Sequence, residues 1–303
     1  MSNLFPRCQI VPQADCQVTI KIDGRERARW HYGLQYPRPF FFPINGPSGE
    51  SLTRMGHPGA SNHDHHRSVW FAHAKVLGID FWSDNTQAHI HQKHWLVYEE
   101  GDERAILATR LGWYDGHDPK ELLDQVLIAV FRPGPDGETL LELQSTFHPT
   151  SDSLEFQKTN FGFLAVRVAK SIAEHFGGGH LTNSEGLVGE KDDSGQPNIF
   201  GKQARWMDYS GPIKPHQNSD LDTDRSNAQP DMVEGITYFD HPSNAGYPNH
   251  WHVREDGWMG ASPCMNGPLQ TSRKAPMRMR FLLHAHAGPV DVPMANAIAS
   301  QFA

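Results

Sequence analysis

Four short runs gather many of the histidines of this chain: NHDHHR at 62–67, HIHQKH at 89–94, HWH at 250–252 and HAH at 284–286. Imidazole is the side chain that titrates near neutrality, and it is also the commonest metal ligand. Dense runs of it beside Trp, Arg and Asp therefore point to a polar cleft that either moves protons or holds a metal.

Three segments could supply such a cleft. In HDHHRSVWFAH (63–73), an extended backbone would put His63 and His65 on one face and turn His66 to the other with Ser68 and Trp70. LTNSEGLVGEK (181–191) carries Asn183, Glu185, Glu190 and Lys191 on a glycine-punctuated loop. FDHPSN (239–244) and YPNHWHVREDGW (247–258) add Asp240, His241, Asn244, Trp251, His252, Arg254 and Trp258. A carboxylate opposite an imidazole is the minimum equipment for general acid–base catalysis, since one group protonates while the other abstracts. The expected catalytic pair is His65 or His66 with Glu185 or Glu190. Trp beside Arg and carboxylates is what a sugar ring requires, an apolar face to stack on and forked donors or acceptors for hydroxyls. Arg67, Trp70, Asn183, Lys191, Asp240, His241, Asn244, Trp251, His252 and Arg254 are the expected substrate-binding set. The competing reading makes the tryptophans core residues, the loop carboxylates solvated groups and the histidines a polar strand end.

A metal site is the alternative use of the same imidazoles. His284 and His286 share one strand face, as do His250 and His252 if that segment is extended; His65, His252 and His284 with a carboxylate would be a Zn, Mn or Fe ligand set. There is no HExxH and no Cys/His finger spacing, so a divalent metal is the one cofactor considered and none is assigned. No GxSxG, P-loop or strand-coupled GxGxxG occurs, and Gly177-Gly178-Gly179 reads as a flexible turn.

Short strands must position these groups. QVTIKID alternates Val18, Ile20 and Ile22 on one face and ends in the turn Asp23-Gly24. HWLVYEE and RAILATRLGWYD flank Gly101-Asp102, and VLIAVFR and ETLLELQSTFH flank PGPDG, giving further hairpins. NFGFLAVRV and MRMRFLLHAHA extend the pattern, whereas HIHQKH reads as a solvated turn before its strand. Helical signals are confined to a short turn near Pro119 to Leu123 and the C-terminal PMANAIASQF. With 27 Gly and 22 Pro punctuating short strands, the class is all-β, with two large antiparallel sheets packed face to face. The stretch 184–229 is rich in Asp, Ser, Gly, Asn and Pro and reads as a long polar surface excursion.

Composition excludes several classes. Lys plus Arg total 27 against 35 Asp plus Glu, a net charge of −8 with no basic block, which argues against a nucleic-acid partner. Cys8, Cys16 and Cys264 are too few, and odd in number, for a disulfide framework. The N-terminus lacks a signal-peptide pattern and no apolar run could span a bilayer, so a cytoplasmic, membrane-free protein is expected.

In order along the chain, PFFFPINGPSGESLTR, HDHHRSVWFAH, GIDFW, FGFLAVRVA, LTNSEGLVGEK, ARWMDYSG, FDHPSN and WHVREDGW resemble the bacterial family labelled methane oxygenase PmoA, or PmoA-like. The resemblance runs from about Pro39 to the FLLHAHA strand. The methane monooxygenase subunit of that name is an integral membrane protein, and this chain has no run to match it. What the resemblance implies instead is a single β-supersandwich domain over 1–303, similar to galactose mutarotase and related carbohydrate-active proteins. Mutarotases use a His acid and a Glu base at the sugar ring. The chain departs from the usual DHPHHRG wording in having Ser68 where Gly is common, which bears on the turn after Arg67. The resulting expectation is a carbohydrate-active enzyme of mutarotase, epimerase, lyase or hydrolase type, in which His65, His66, Arg67, Glu185 and Arg254 converge on one concave face. The alternatives are a metal-dependent sugar enzyme and a non-catalytic sugar-binding protein.

Overall fold

The computed structural model describes residues 5–56, 63, 65–192, 195–196, 198–213 and 232–303. In chain order the first strands are β1 (Cys8–Gln13), β2 (Gln17–Ile22), β3 (Arg25–His31), β4 (Phe40–Ile44), β5 (Val69–His73), β6 (His89–Glu99), β7 (Ala105–Tyr114), β8 (Leu123–Pro133) and β9 (Thr139–Pro149). They are followed by β10 (Ser153–Phe156), β11 (Gly162–Arg167), the short helix α1 (Glu174–Gly177), β12 (His180–Asn183), β13 (Trp206–Ile213), β14 (Met232–Asp240), β15 (Trp251–Arg254), β16 (Trp258–Ala261), β17 (Leu269–Ser272), β18 (Met277–Ala287) and the C-terminal helix α2 (Val292–Phe302).

Two eight-stranded sheets carry the architecture. Sheet 1 runs β1-β2-β3-β4-β5-β11-β16-β15 and sheet 2 runs β12-β13-β14-β18-β9-β8-β7-β6, with β10 and β17 as a small separate pair. All strand pairings are antiparallel. The expected class, a large antiparallel two-sheet β-sandwich, is what the chain forms, and the β2–β3, β6–β7 and β8–β9 hairpins fall where the alternation put them. Apolar side chains from both inner faces interlock: Phe41 meets Phe131 at 5.9 Å, Phe71 meets Phe281 at 6.2 Å and Tyr238 meets Trp251 at 4.8 Å between ring centroids.

Several local expectations are corrected. HIHQKH belongs to β6 itself, because Ile90 turns inward between two outward imidazoles and the strand bulges at Gln92/His94. No helix forms between Pro119 and Leu123; Asp115 instead accepts from the backbone of His117 and Asp118, closing a polar turn. Gly177-Gly178-Gly179 is a tight helix stop: a Cβ at Gly177 or Gly179 would run into the carbonyls of Ser171 and Ile172. The polar excursion is interrupted by β13, whose Met207 and Tyr209 are core residues of sheet 2; residues 214–231, including DLDTDRSNAQPD, lie outside the described residues.

On sheet 1 the two faces do different work because side chains alternate with period two. Val69 and Phe71, Leu164 and Val166, Trp251 and Val253, and Met259 and Ala261 enter the sandwich core. Their neighbours Trp70, Ala72, Ala165 and Trp258 form a separate apolar layer on the outer face with Phe40 and Trp82. The corresponding outer face of sheet 2 is covered by α2, which packs Ala295 and Phe302 onto Trp206, Phe239 and Leu282.

The entry to β5 is locked by Ser68. Its backbone N–H donates to the Arg54 carbonyl at 3.0 Å, its carbonyl accepts from Arg167 N–H at 2.7 Å, and its hydroxyl donates to Thr53 Oγ1 at 2.8 Å. The residue sits at φ 57°, in the left-handed region that favours glycine, which accounts for Gly in the related wording. Here the buried hydroxyl contact offsets the backbone cost. Ser68→Gly removes the hydrogen bond but relieves the strain, whereas Ser68→Ala removes the bond and keeps the strain. We therefore expect the Gly variant to be more stable than the Ala variant by about 1 kcal/mol, the reverse of the usual order away from left-handed positions; urea unfolding midpoints measure the difference.

Candidate functional site

On the outer face of sheet 1 lies a cavity of ≈ 400 Å³ lined by His63, His65, His66, Trp82, Phe161, His252, Arg254 and Trp258, together with Ala74, Asp80, Ser83, Arg167 and Asp256. Strand register assembles its floor. Trp70, Ala165, Gly260 and His252 pair across β5, β11, β16 and β15, and the next row is Arg167, Trp258 and Arg254. The indole rests along the sheet beside Gly260, where a Cβ would lie 3.8 Å from Trp258 Cζ2, an ordinary packing distance. The Trp258 ring meets His66 at 4.8 Å, Trp70 at 5.3 Å, Trp82 at 5.4 Å and His252 at 5.8 Å. The indole nitrogens of Trp70, Trp82 and Trp258 are buried and have no hydrogen-bond partner among the described residues. Burying an indole is worth roughly 4 kcal/mol and an unmet N–H costs about 1–3 kcal/mol, so the layer is stable and still lacks acceptors.

The three histidines reach the cavity by a turn. The chain is not extended there: His66 N–H donates to the His63 carbonyl at 3.0 Å, which brings the rings of His63, His65 and His66 within 4.3–6.1 Å of one another. Burial, with Arg38 and other nearby charges, pushes His65 down to about 4. His252 is likewise pushed down to about 4 by burial and by Arg254. Its Nδ1 lies 3.2 Å from the Asn160 carbonyl. A carbonyl only accepts, so Nδ1 carries the hydrogen and Nε2 the lone pair. That Nε2 is buried without a partner among the described residues, and the rings of Phe161 and Phe200 stand 4.9 and 5.4 Å from the imidazole, centroid to centroid.

Charged groups frame this aromatic centre. Arg167 forks onto Asp256 at 2.7 and 3.1 Å, tying β11 to the β15–β16 turn. Asp80 accepts from Trp82 N–H at 2.7 Å and from the Ser83 hydroxyl at 2.5 Å. Arg254 reaches Glu190 Oε1 at 3.3 Å and lies 5.0 Å over the Phe200 ring.

The structure brings together His65, His66, His252 and Arg254 of the expected set, with Trp70 beneath them. It places the others elsewhere. Arg67 is forked onto Asp84 rather than offered to the cavity. Glu185 is exposed and bonded to the Ser184 hydroxyl, so the expected pairing with His65 or His66 is not formed. Asn183 is consumed by its own loop, accepting from the N–H groups of Glu185 and Leu187 at 3.0 Å each. Glu190 acts behind Arg254, its second oxygen taking Glu255 N–H at 2.6 Å, and exposed Lys191 pairs with Glu255 at 3.5 Å. Asp240 organises the turn after β14 by accepting from Asn244 and Asn249, with burial pushing it up to about 6; Asn244 also bonds the Arg280 backbone, and His241 meets Ser243 and Arg280. Trp251 faces the core and donates to the Ala204 carbonyl at 2.9 Å.

His284 is separated from His65 and His252 by the whole sandwich, because it stands on the outer face of sheet 2. There it pairs with Glu138 at 2.8 Å, beside His286, which bonds Asp208 at 2.8 Å, and both line a different cavity of ≈ 240 Å³. The proposed ligand triad is therefore not assembled, and among the described residues no group of three His, Cys, Asp or Glu is placed to hold a metal ion. Asp64 lies outside the described residues.

Asp80, Trp82, Ser83, Phe161, Arg167 and Asp256 were not singled out from sequence, and Trp258 only as a neighbour. Alternation was the available signal for two of them: once Val166 and Met259 are placed inward, Arg167 and Trp258 must face outward beside His252. Loop residues Asp80 and Phe161 carried no such signal.

No helix among the described residues is long and apolar enough to cross a membrane. No curated protein sequence matches the chain. Among solved structures it is similar to an aldose epimerase (GalM) homologue from C. elegans, with 9% identity over 94% of this chain and 99% of that one and a TM-score of 0.35. A family model matches residues 17–300, nearly the whole length, and the chain belongs to that family, a family of unknown function (DUF6807).

Proposed function

We propose that this protein binds a carbohydrate in the outer cavity of sheet 1 and acts on it by imidazole-mediated proton transfer. The observation that carries the reading is the make-up of that ≈ 400 Å³ cavity, in which Trp82, Phe161 and Trp258 stand beside His65, His252, Arg254, Asp80 and Ser83. Its size suits a small ligand, its rings offer stacking faces, and its polar groups suit hydroxyls. His65 and His252 are neutral at pH 7, the form that accepts a proton. An isomerase, epimerase or lyase fits better than a hydrolase. The carboxylates Asp80 and Asp256 that line the cavity already accept from Trp82, Ser83 and Arg167, whereas hydrolysis of a glycoside calls for two carboxylates free to act at the bond. The base is assigned to His65, with His252 as the second imidazole; the Glu185 role is withdrawn.

The test is turnover of a panel of aldoses and keto-sugars followed by NMR. His65→Ala should lower turnover by about 10² to 10⁴ while leaving the unfolding midpoint nearly unchanged. Binding without turnover would make this a sugar-binding protein, and wild-type rates in the variant would remove His65 as the base. The pH profile offers a second check. A lowered imidazole stays unprotonated until the pH falls to its own value, so the acid limb of kcat/KM should lie near 4 rather than near 6.5; a limb at 6.5 would place the base elsewhere. Finally, Phe161 is 39% exposed, so Phe161→Ala should spare folding but weaken sugar binding by about 1 kcal/mol, roughly fivefold in Kd by calorimetry.

A further inference from the structure

We propose that Asp84 is a positioning residue for the proton-transfer histidine: through the forked Arg67 it clamps the His63–His66 turn to the loop that carries Asp80, Trp82 and Ser83. This rests on the reading that His65 is the base. The cavity draws on two segments on either side of β5: His63, His65 and His66 come from the turn before it, and Asp80, Trp82 and Ser83 from the loop after it. Neither segment lies within a strand, so no continuous ladder sets their separation. Asp84 bridges them. Its Oδ1 accepts from Arg67 Nη1 at 3.1 Å and from Arg38 Nη1 at 3.0 Å, and its Oδ2 accepts from Arg67 Nη2. Arg67 directly follows the histidine turn, and its guanidinium lies 5.4 Å over the Tyr36 ring. Arg38 holds the other side. Its side chain is 1% exposed, and besides Asp84 it donates to the carbonyls of Phe81 at 3.1 Å and Ser83 at 2.9 Å, the two residues that flank Trp82.

Asp84 thus joins one guanidinium anchored beside the histidine turn to another that grips the tryptophan loop. Burial is opposed by the Arg67 hydrogen bond and by both guanidinium charges, which together hold the Asp84 carboxyl below its ordinary range and keep it ionised at pH 7. A forked pair fixes direction as well as distance, which one bond between flexible side chains does not. Arg38, Arg67 and Asp84 stand behind the lining of the cavity, so their effect on the chemistry passes through the walls they hold. His65 reports on the clamp. Among the described residues, burial and the charges of Arg38, His63 and Arg67 push it down to about 4, with Asp84 opposing them. Cutting the Arg67 arm removes one depressing charge and lets water reach the turn, and both changes raise the His65 value.

Arg67→Gln in the full chain cuts that arm and leaves the Arg38–Asp84 pair in place. NMR titration of the His65 ring should then move up by about one pH unit or more. On a sugar that the wild type converts, kcat should fall by about 10- to 100-fold with KM changed by less than about threefold, since a misplaced base loses rate rather than binding. Asp84→Asn breaks the clamp from its other end and should lower kcat similarly. The double variant should lose no more than either single one, because residues acting as one unit are not additive. Circular dichroism shows which variants fold; if Asp84→Asn does not, the titration and kinetics of Arg67→Gln decide alone. A His65 titration or a kcat left unchanged in Arg67→Gln, or additive losses in the double variant, overturns the proposal and leaves the base assignment standing. Absence of wild-type turnover on every sugar removes the base assignment instead, and the His65 titration alone then decides whether Asp84 holds the turn.

Discussion

The seat of the Trp258 indole on the outer face of sheet 1 is the constraint from which the candidate site follows. The ring lies along the sheet over Gly260, and His66, Trp70, Trp82 and His252 stand around its edge. The surrounding polar groups are then fixed from the rim inward. Arg167 holds the β15–β16 turn through Asp256, and Ser68 holds the strand that delivers the histidines. A part-buried ion pair such as Arg167–Asp256 adds little net stability, since desolvation offsets attraction. Its contribution is to geometry.

The two outer faces of the sandwich have different fates for a simple reason of supply. Helix α2 provides enough apolar surface, through Ala295 and Phe302, to close over sheet 2. Among the described residues no helix covers sheet 1, whose outer face is filled with aromatic and ionic side chains instead. The histidines on the two sides consequently live in different settings. His286 is bonded to a carboxylate and to the Ala287 carbonyl, two acceptors that call for a proton on each ring nitrogen, and its pKa is raised, with burial opposed by the Asp208 hydrogen bond and charge. His65 and His252 are held neutral.

The fold was largely legible because it is written in period-two alternation, which survives in β2, β7, β8, β9 and β18 without knowledge of their partners. The site was legible only in part. Histidine density pointed correctly to the 63–67 segment, but assigning its faces assumed an extended chain, and a turn at His63–His66 put all three rings together. Asn183, Glu185, Asp240 and Asn244 looked like ligand groups because polar residues in glycine-rich loops often are; each is instead committed to its own loop or an adjacent residue. Such short-range bonding depends on turn geometry that residue type does not reveal. His284 shows the converse limit: strand parity gives the face of a sheet but not which of two sheets, so a sandwich can separate residues that look equivalent in sequence.

The alternation in strands β5, β11, β15 and β16 has a consequence for how such a protein can change. In WHVR, Trp251 and Val253 face the core while His252 and Arg254 face the cavity. Adjacent residues thus meet separate physical constraints, and the outward set can change without disturbing the inward set. A family built on this sheet can diversify in what it recognises while its members keep one architecture, and likeness of fold among them would then say little about likeness of ligand.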